Sequence, residues 1–267
     1  MMGASAPSLA RLWPDLVANL RFFSRLPTPS RTAEGGLDLN RVAWATPLAG
    51  ALIGAFAALA LAIAQMLLLP PFVAATLAVA ALAAITGALH EDGLADLADG
   101  FGGGSTREAK LAIMRDSRVG SFGAVALMLS LTLRIGALAA LSRGGLAFAG
   151  ASLILAGAAS RAGALVPLAL LPAARPDGAG ASAGRLELGK LIAAGITTAA
   201  LAFLTGVLAL GVTRAFFSSV MVGAAAWAVS ALARRQIGGQ TGDVAGAAQQ
   251  AAEIACLCGL LIGGRAD

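Results

Sequence analysis

The chain alternates between long apolar runs and short polar interruptions. Val42 to Leu69, Phe72 to Leu89, Val119 to Leu141, Leu146 to Leu171, Leu191 to Val212 and Ala215 to Ala233 are dominated by apolar side chains. As helices, each reaches the roughly 17–25 residues that cross a bilayer. Pro70-Pro71 separates the first two runs, and Gly50 and Gly54 form a small-xxx-small pair suited to close helix contact. Ile254 to Gly264 is apolar but short. It makes a seventh span if its helix starts earlier, near Ala245, and is otherwise re-entrant. Met1 to Asn40 interleaves Arg11, Arg21, Arg25 and Arg31 with Leu16, Leu20, Phe22, Phe23 and Leu26. That pattern predicts an interfacial helix closed by the Pro27-Thr28-Pro29 turn. The segment lacks the basic stub, apolar core and small-residue cleavage site of a secretory signal. The pattern as a whole predicts one all-α integral-membrane domain over 1–267. It is a polytopic bundle of about 6–7 spanning helices plus the N-terminal interfacial helix. Segments 1–41, 90–118 and 234–253 are expected on the cytoplasmic face.

Composition removes the soluble alternative. Apolar residues make up 58% of the chain, charged residues 12%, and mean hydropathy is +0.83, far from the balance of a soluble domain. The net charge of +5 would suggest nucleic acid in a soluble protein. Here it reads as topology control, with no nucleic-acid partner. A cytoplasmic N-terminus puts Arg11, Arg21, Arg25, Arg31, Arg41, Arg107, Lys110, Arg115, Arg118, Arg175, Arg185, Lys190, Arg234 and Arg235 inside. Only Arg143 and Arg214 are left on the far side, as the positive-inside rule requires. Apart from Asp267, whose side stays open with that of Arg265, the carboxylates fall in the same cytoplasmic segments. Cys256 and Cys258, one residue apart in an apolar tail, suit packing rather than a disulfide or zinc site. A homo-oligomer is compatible with this pattern.

The chemistry concentrates between His90 and Arg118. This stretch holds the chain's single histidine and six of its fourteen carboxylates: Glu91, Asp92, Asp96, Asp99, Glu108 and Asp116. Asp92, Asp96 and Asp99 share one helical face. Carboxylates that close repel unless a cation neutralises them, and an all-oxygen set suits Mg²⁺; the alternative is a solvated acidic face. Glu91 points off that face and reads as a capping or solvated group. His90 either orients an acid or moves a proton, or is a structural hydrogen bonder. Gly100, Gly102, Gly103 and Gly104 precede Ser105, a candidate cap for a helix near Thr106 with Glu108 at its third position. Such a turn can cradle a diphosphate, with Lys110, Arg115 and Arg118 on its oxygens. The same cations also serve topology. Asp243, in the patch Gly238 to Ala248, completes the metal site, holds a substrate hydroxyl, or sits in a plain loop. Arg134 and Arg161 fall inside spans and are expected to face a protein cavity or a carboxylate, with Asp92, Asp96, Asp99 and Asp243 as candidate partners. Ser160 and Arg161 are expected to line the site.

These motifs, in order, resemble the cobalamin synthase family, the adenosylcobinamide-GDP ribazoletransferases. The likeness runs from Phe22-Phe23-Ser24-Arg25-Leu26-Pro27 and Pro47-Leu48-x-Gly50 to His90-x-Asp92-Gly93-Leu94-Ala95-Asp96-x-x-Asp99-Gly100. It continues through Arg115-Asp116-Ser117-Arg118-x-Gly120-x-x-Gly123 and Arg175-Pro176-Asp177-Gly178-x-Gly180 to Gly238-Gly239-x-Thr241-Gly242-Asp243-x-x-Gly246-Ala247. The resemblance implies a multi-pass bacterial inner-membrane transferase with its motifs on the cytoplasmic side. It would join adenosylcobinamide-GDP to α-ribazole, or to its 5′-phosphate, with Mg²⁺ as cofactor and release of GMP. Residues and resemblance together make His90, Asp92, Asp96 and Asp99 the catalytic candidates. Lys110, Arg115, Asp116, Arg118, Arg161, Thr241 and Asp243 are the substrate-binding set, and Asp92, Asp96, Asp99 and Asp243 the metal ligands. Gln250 stands where the family is expected to carry an acid. A CDP-alcohol phosphotransferase is disfavoured, because Asp92-Gly93-Leu94-Ala95-Asp96 lacks that class's Ala-Arg step. A transporter is disfavoured by the absence of a strong internal repeat.

Overall fold

A computed structural model describes residues 9–28, 38–178 and 184–262. Pro29, Arg31, Gly180, Gly264, Arg265 and Asp267 lie outside them. Among the described residues the fold is all-helical, with a single isolated backbone bridge between Ala173 and Gln240.

Helix α1 (Leu9–Phe23) is amphipathic, burying Val17 and Phe23 while Trp13 stays exposed. Its buried Asn19 donates to the Val42 carbonyl at 3.1 Å and accepts from the Thr46 hydroxyl at 2.7 Å. Those bonds dock α1 on the start of the first span, where α2 (Leu39–Val42) and a 3₁₀ turn lead into α3 (Thr46–Met66). Pro47 sits in the first turn of α3, where its missing N–H has no intrahelical partner to lose.

Helix α4 (Pro71–Thr86) ends at two consecutive left-handed residues, Gly87 at φ 64° and Ala88 at φ 58°. Glycine adopts this conformation freely; for Ala88 it costs roughly 1–2 kcal/mol. The chain turns by 89° into α5 (Leu89–Gly103). If α4 crosses the membrane, α5 therefore runs along its surface, and its acids lie outside the spanning segments. Then follow α6 (Arg107–Ile113), α7 (Ser121–Leu141), α8 (Leu146–Leu170), α9 (Leu188–Thr205), α10 (Val212–Ile237) and α11 (Gly242–Leu261).

Leu39–Met66, Ser121–Gly144, Leu146–Leu170, Leu188–Leu210, Val212–Ile237 and Gly242–Leu261 are long and apolar enough to cross a membrane. The count is six, or up to seven if the bent α4–α5 pair is taken as one span. The chain is a multi-pass membrane protein. The last span begins at Gly242, so 234–253 is not a surface segment throughout. Arg234 and Arg235 end α10, only 238–241 lies between helices, and Gly242 to Glu253 is the first half of α11. The helix persists because Gln249, Gln250 and Glu253 all face the bundle interior, where each finds a partner.

Helix α8 is the axis of the bundle, with 83% of its apolar window buried against 28% for α7, α9 and α10. Those three turn residues such as Met128, Phe203 and Phe216 outward. Helices α3 and α8 meet backbone to backbone. A Cβ on Gly50 would strike the Gly157 carbonyl, and one on Gly54 the Leu153 carbonyl. The glycine pair is thus an interhelical contact, in a medium where packing rather than water drives association. Replacing Gly157 by Val is expected to destabilise the protein by about 1–3 kcal/mol or more, read as a lowered melting temperature in detergent.

Candidate active site

The polar segments converge at one end of the bundle. The Arg107 guanidinium donates to the Ile237 carbonyl at 2.8 Å and the Ala174 carbonyl at 2.6 Å. Gln240 N–H donates to the Pro172 carbonyl, and Ala174 N–H to the Gln240 carbonyl, both at 2.8 Å. Gly239 has no room for a side chain, since its Cβ would stand 2.5 Å from the Pro172 carbonyl oxygen. Arg115 pairs with Asp177 at 2.6 Å. These contacts fasten α6, the loop after α8 and the turn before α11 into one unit.

At this end α5 crosses the start of α11. Gly93 and Gly246 touch there, and a Cβ on Gly93 would lie 3.1 Å from the Asp243 Cα. The absence of side chains at the crossing brings Asp243 beside Asp92 and Asp96. Asp92 is exposed and Asp96 half-buried. Burial, then repulsion from Asp92, Asp243 and Asp99, pushes the Asp96 carboxyl up to about 7 from its usual 3.8, although Arg175 opposes the rise. Asp243 accepts from the Thr241 hydroxyl at 3.1 Å and lies 3.6 Å from Arg175. The other terminal nitrogen of Arg175, Nη1, is buried without a hydrogen-bond partner. Such a donor suits an anion brought by a ligand.

Asp99 is committed elsewhere. Its two oxygens accept from Gly120 N–H at 2.7 Å and Gly123 N–H at 2.8 Å, capping α7. As the side chains stand, no three or more His, Cys, Asp or Glu among the described residues are grouped to hold a metal ion. The donors still fit Mg²⁺, which commonly takes one or two carboxylates and completes its shell with water and substrate phosphates. Asp96, pushed up to about 7 by burial and then by its acidic neighbours, would be relieved by that charge.

The basic candidates divide. Lys110 is buried and donates to the Gly104 carbonyl at 2.6 Å. Arg118 embraces Asp116 on the surface, with hydrogen bonds from 2.6 Å, which hold Asp116 down to about 2. The expected glycine cradle is not a loop. Helix α5 continues to Gly103, and Gly100 and Gly102 make room for Met114 and Phe122. Thr106, not Ser105, caps α6, its hydroxyl accepting from Ala109 N–H.

Beneath the acids lies a buried charge cluster. Arg134 on α7 donates to Glu91 at 2.7 Å and to Glu253 at 2.9 Å. Arg161 on α8 stands 3.6 Å from the other Glu253 oxygen. Gln249 bonds Glu253 and Ser160, while Gln250 accepts from Ser130 and Arg134. Two expectations change here. Glu91 is buried and paired, not solvated, because α5 packs that side onto α7. The partners of Arg134 are Glu91 and Glu253, not Asp92, Asp96, Asp99 or Asp243. Arg161 accordingly sits in this cluster below the acids. With two arginines, two glutamates and an amide at Gln250, the cluster is electrically balanced. His90 is buried, stacks on Phe23 at 5.9 Å, and has an unpartnered Nε2. Burial first, then Arg161 and Arg134, holds its imidazole well below the usual value, hence neutral.

The comparison with known proteins covers nearly the whole chain. Residues 15–261 match the family model described as cobalamin-5-phosphate synthase. The chain belongs to the cobalamin-5-phosphate synthase family. It is 48% identical to an adenosylcobinamide-GDP ribazoletransferase of Azorhizobium caulinodans over 95% of this chain and 97% of that one. It is 49% identical to the enzyme so named of Xanthobacter autotrophicus, over 95% and 98%. No solved structure matches. Membership sets aside the CDP-alcohol phosphotransferase and transporter readings. Arg175 and Glu91 were not singled out as site residues from sequence. Arg175 lay within a recognisable motif, whereas nothing in the periodicity marked Glu91 as buried.

Two outcomes are expected. Arg134→Met leaves two glutamates facing one arginine and costs about 3–5 kcal/mol. Adding Glu91→Gln restores neutrality and recovers part of that loss in thermal unfolding. Asp96→Asn stabilises the protein in chelator. A carboxyl raised on folding is protonated in the fold and ionised in the unfolded chain between 3.8 and about 7, so wild-type stability falls as pH rises through that window. The gain from the amide is therefore largest above neutrality and shrinks toward acid, as melting temperatures across pH will show.

Proposed function

We propose that this chain joins adenosylcobinamide-GDP to α-ribazole, or to its 5′-phosphate, and releases GMP, at the cytoplasmic face of the bacterial inner membrane. The observation that carries this reading is that Asp92 and Asp243 line one cavity where α5 crosses α11, with Arg175 3.6 Å from Asp243 and Asp96 on the same helix as Asp92. The names of the relatives supply the substrate class, and the one-sided distribution of basic residues supports the orientation.

In this reaction a ribose hydroxyl oxygen attacks the phosphorus on the corrinoid side of the diphosphate. An O–P bond forms, the anhydride P–O bond breaks, and the electron pair leaves with GMP. The hydroxyl proton passes to a carboxylate of the site, which lies among groups able to hold it near neutral pH. Arg175 offers its unpartnered Nη1 to a diphosphate oxygen. Mg²⁺ held by one or two of Asp92, Asp96 and Asp243 would neutralise the charge that builds on the leaving phosphate. Asp99 fixes where α7 begins relative to α5, and the charge cluster fixes the depth of α5. Neutral His90 contributes through position rather than charge.

Full-length protein in detergent, given both substrates and Mg²⁺, is expected to release GMP in step with product. Asp96→Asn is expected to lower turnover on the order of a hundredfold or more and to shift the Mg²⁺ dependence. Normal turnover at unchanged Mg²⁺ demand would refute the role given to these acids.

A further inference from the structure

We propose that the small cavity walled by Phe22, Phe23, Leu39, Leu165 and Leu168 receives the aromatic base of the ribazole substrate, its ribose lying toward Asp92 and Asp243. The inference rests on the transferase reading above and assigns one substrate to one half of the site.

The cavity measures about 150 Å³ and lies where α1, α2, α5, α8 and α11 meet. Its lining is apolar except for His90, Asp92 and Asp243. Volume decides first: a corrinoid macrocycle is many times too large, whereas a flat bicyclic ring is of the right order. Polarity decides next. Guanine has N1–H and amino donors that a carboxylate can accept, but also O6 and N7, and for those acceptors the lining offers one imidazole as its side-chain donor beside the two carboxylates. A benzimidazole carries no exocyclic polar group and a single free ring nitrogen. His90, in the wall with an unpartnered Nε2, is a neutral group able to donate to such a nitrogen. Placement decides last. Asp92 and Asp243 line this cavity, so a ring seated in it carries its ribose toward the acids where the attack begins. A second cavity of about 570 Å³ shares Phe22, Leu89 and Asp92 with the first and is also lined by Ser24 and Arg25.

Ala164 and Ala245 enter the small cavity from different helices, so Ala164→Leu and Ala245→Leu each fill it. In full-length protein with Mg²⁺, each is expected to raise KM for α-ribazole about tenfold or more, while KM for adenosylcobinamide-GDP moves less than about twofold. A riboside of the single-ring imidazole should lose less than α-ribazole does. An unchanged KM for α-ribazole in both variants, or a rise confined to the corrinoid substrate, overturns the assignment. Wild-type protein gives a readout independent of folding of the variants. Free dimethylbenzimidazole should compete with α-ribazole and not with adenosylcobinamide-GDP; competition with the corrinoid, or with neither, overturns the assignment equally. If wild-type protein releases no GMP at all, the transferase reading fails. Binding of dimethylbenzimidazole, followed by its fluorescence, and its loss in Ala164→Leu then still test the cavity.

Discussion

The structure depends on burying Arg134 where it can be neutralised. A guanidinium inside a membrane bundle is costly unless polar or charged partners answer it, and Arg134 has two carboxylates, from helices distant in sequence. Glu91 belongs to the helix that carries Asp92 and Asp96, and Glu253 to the helix that begins at Asp243. Satisfying one buried cation therefore sets α5 and α11 together on α7. Arg161 adds α8 through Glu253. Gln250 completes the balance: an acid there would leave the cluster with one negative charge in excess.

Above this cluster the polar residues of the chain are sorted into two kinds of work. Arg107, Lys110 and Asp99 answer backbone groups of their neighbours and hold the segments at the polar end of the bundle together. Asp92, Asp96, Asp243 and Arg175 are left crowded or incompletely paired at the surface of the assembly. Groups of the first kind are satisfied within the protein alone. Those of the second keep a mismatch of charge that a substrate diphosphate and a divalent ion would resolve, as expected where structure has been arranged for chemistry.

Much of this was legible beforehand. Runs of apolar residues announced the spans because their length is dictated by the bilayer, and the spacing of Asp92 and Asp96 announced their shared face. The sequence leaves the start of α11 open between a span from near Ala245 and a shorter re-entrant stretch, and the helix begins at Gly242. Hydropathy averages over a helix, and Gln249, Gln250 and Glu253 lower the average although each is buried and paired. Glu91 was misread for the converse reason: helical periodicity separates faces but does not say which of them meets a buried arginine. The glycines from Gly100 to Gly103 looked like a loop because low helix propensity was the only local signal, whereas packing against Met114 and Phe122 keeps them helical. Asp99 shared its spacing with the metal candidates, and only the position of Gly120 and Gly123 shows what its oxygens hold.

Where α5 rides over α11, Gly93 and Gly246 leave bare backbone against bare backbone. No rotamer lies between them to absorb a displacement. The separation of Asp92 from Asp243 is thus inherited from two rigid rods, like the gap between blades sharing a rivet. The carboxylates can still turn about their own side-chain bonds, but whatever alters the spacing of the backbones that carry them has to tilt or slide an entire helix.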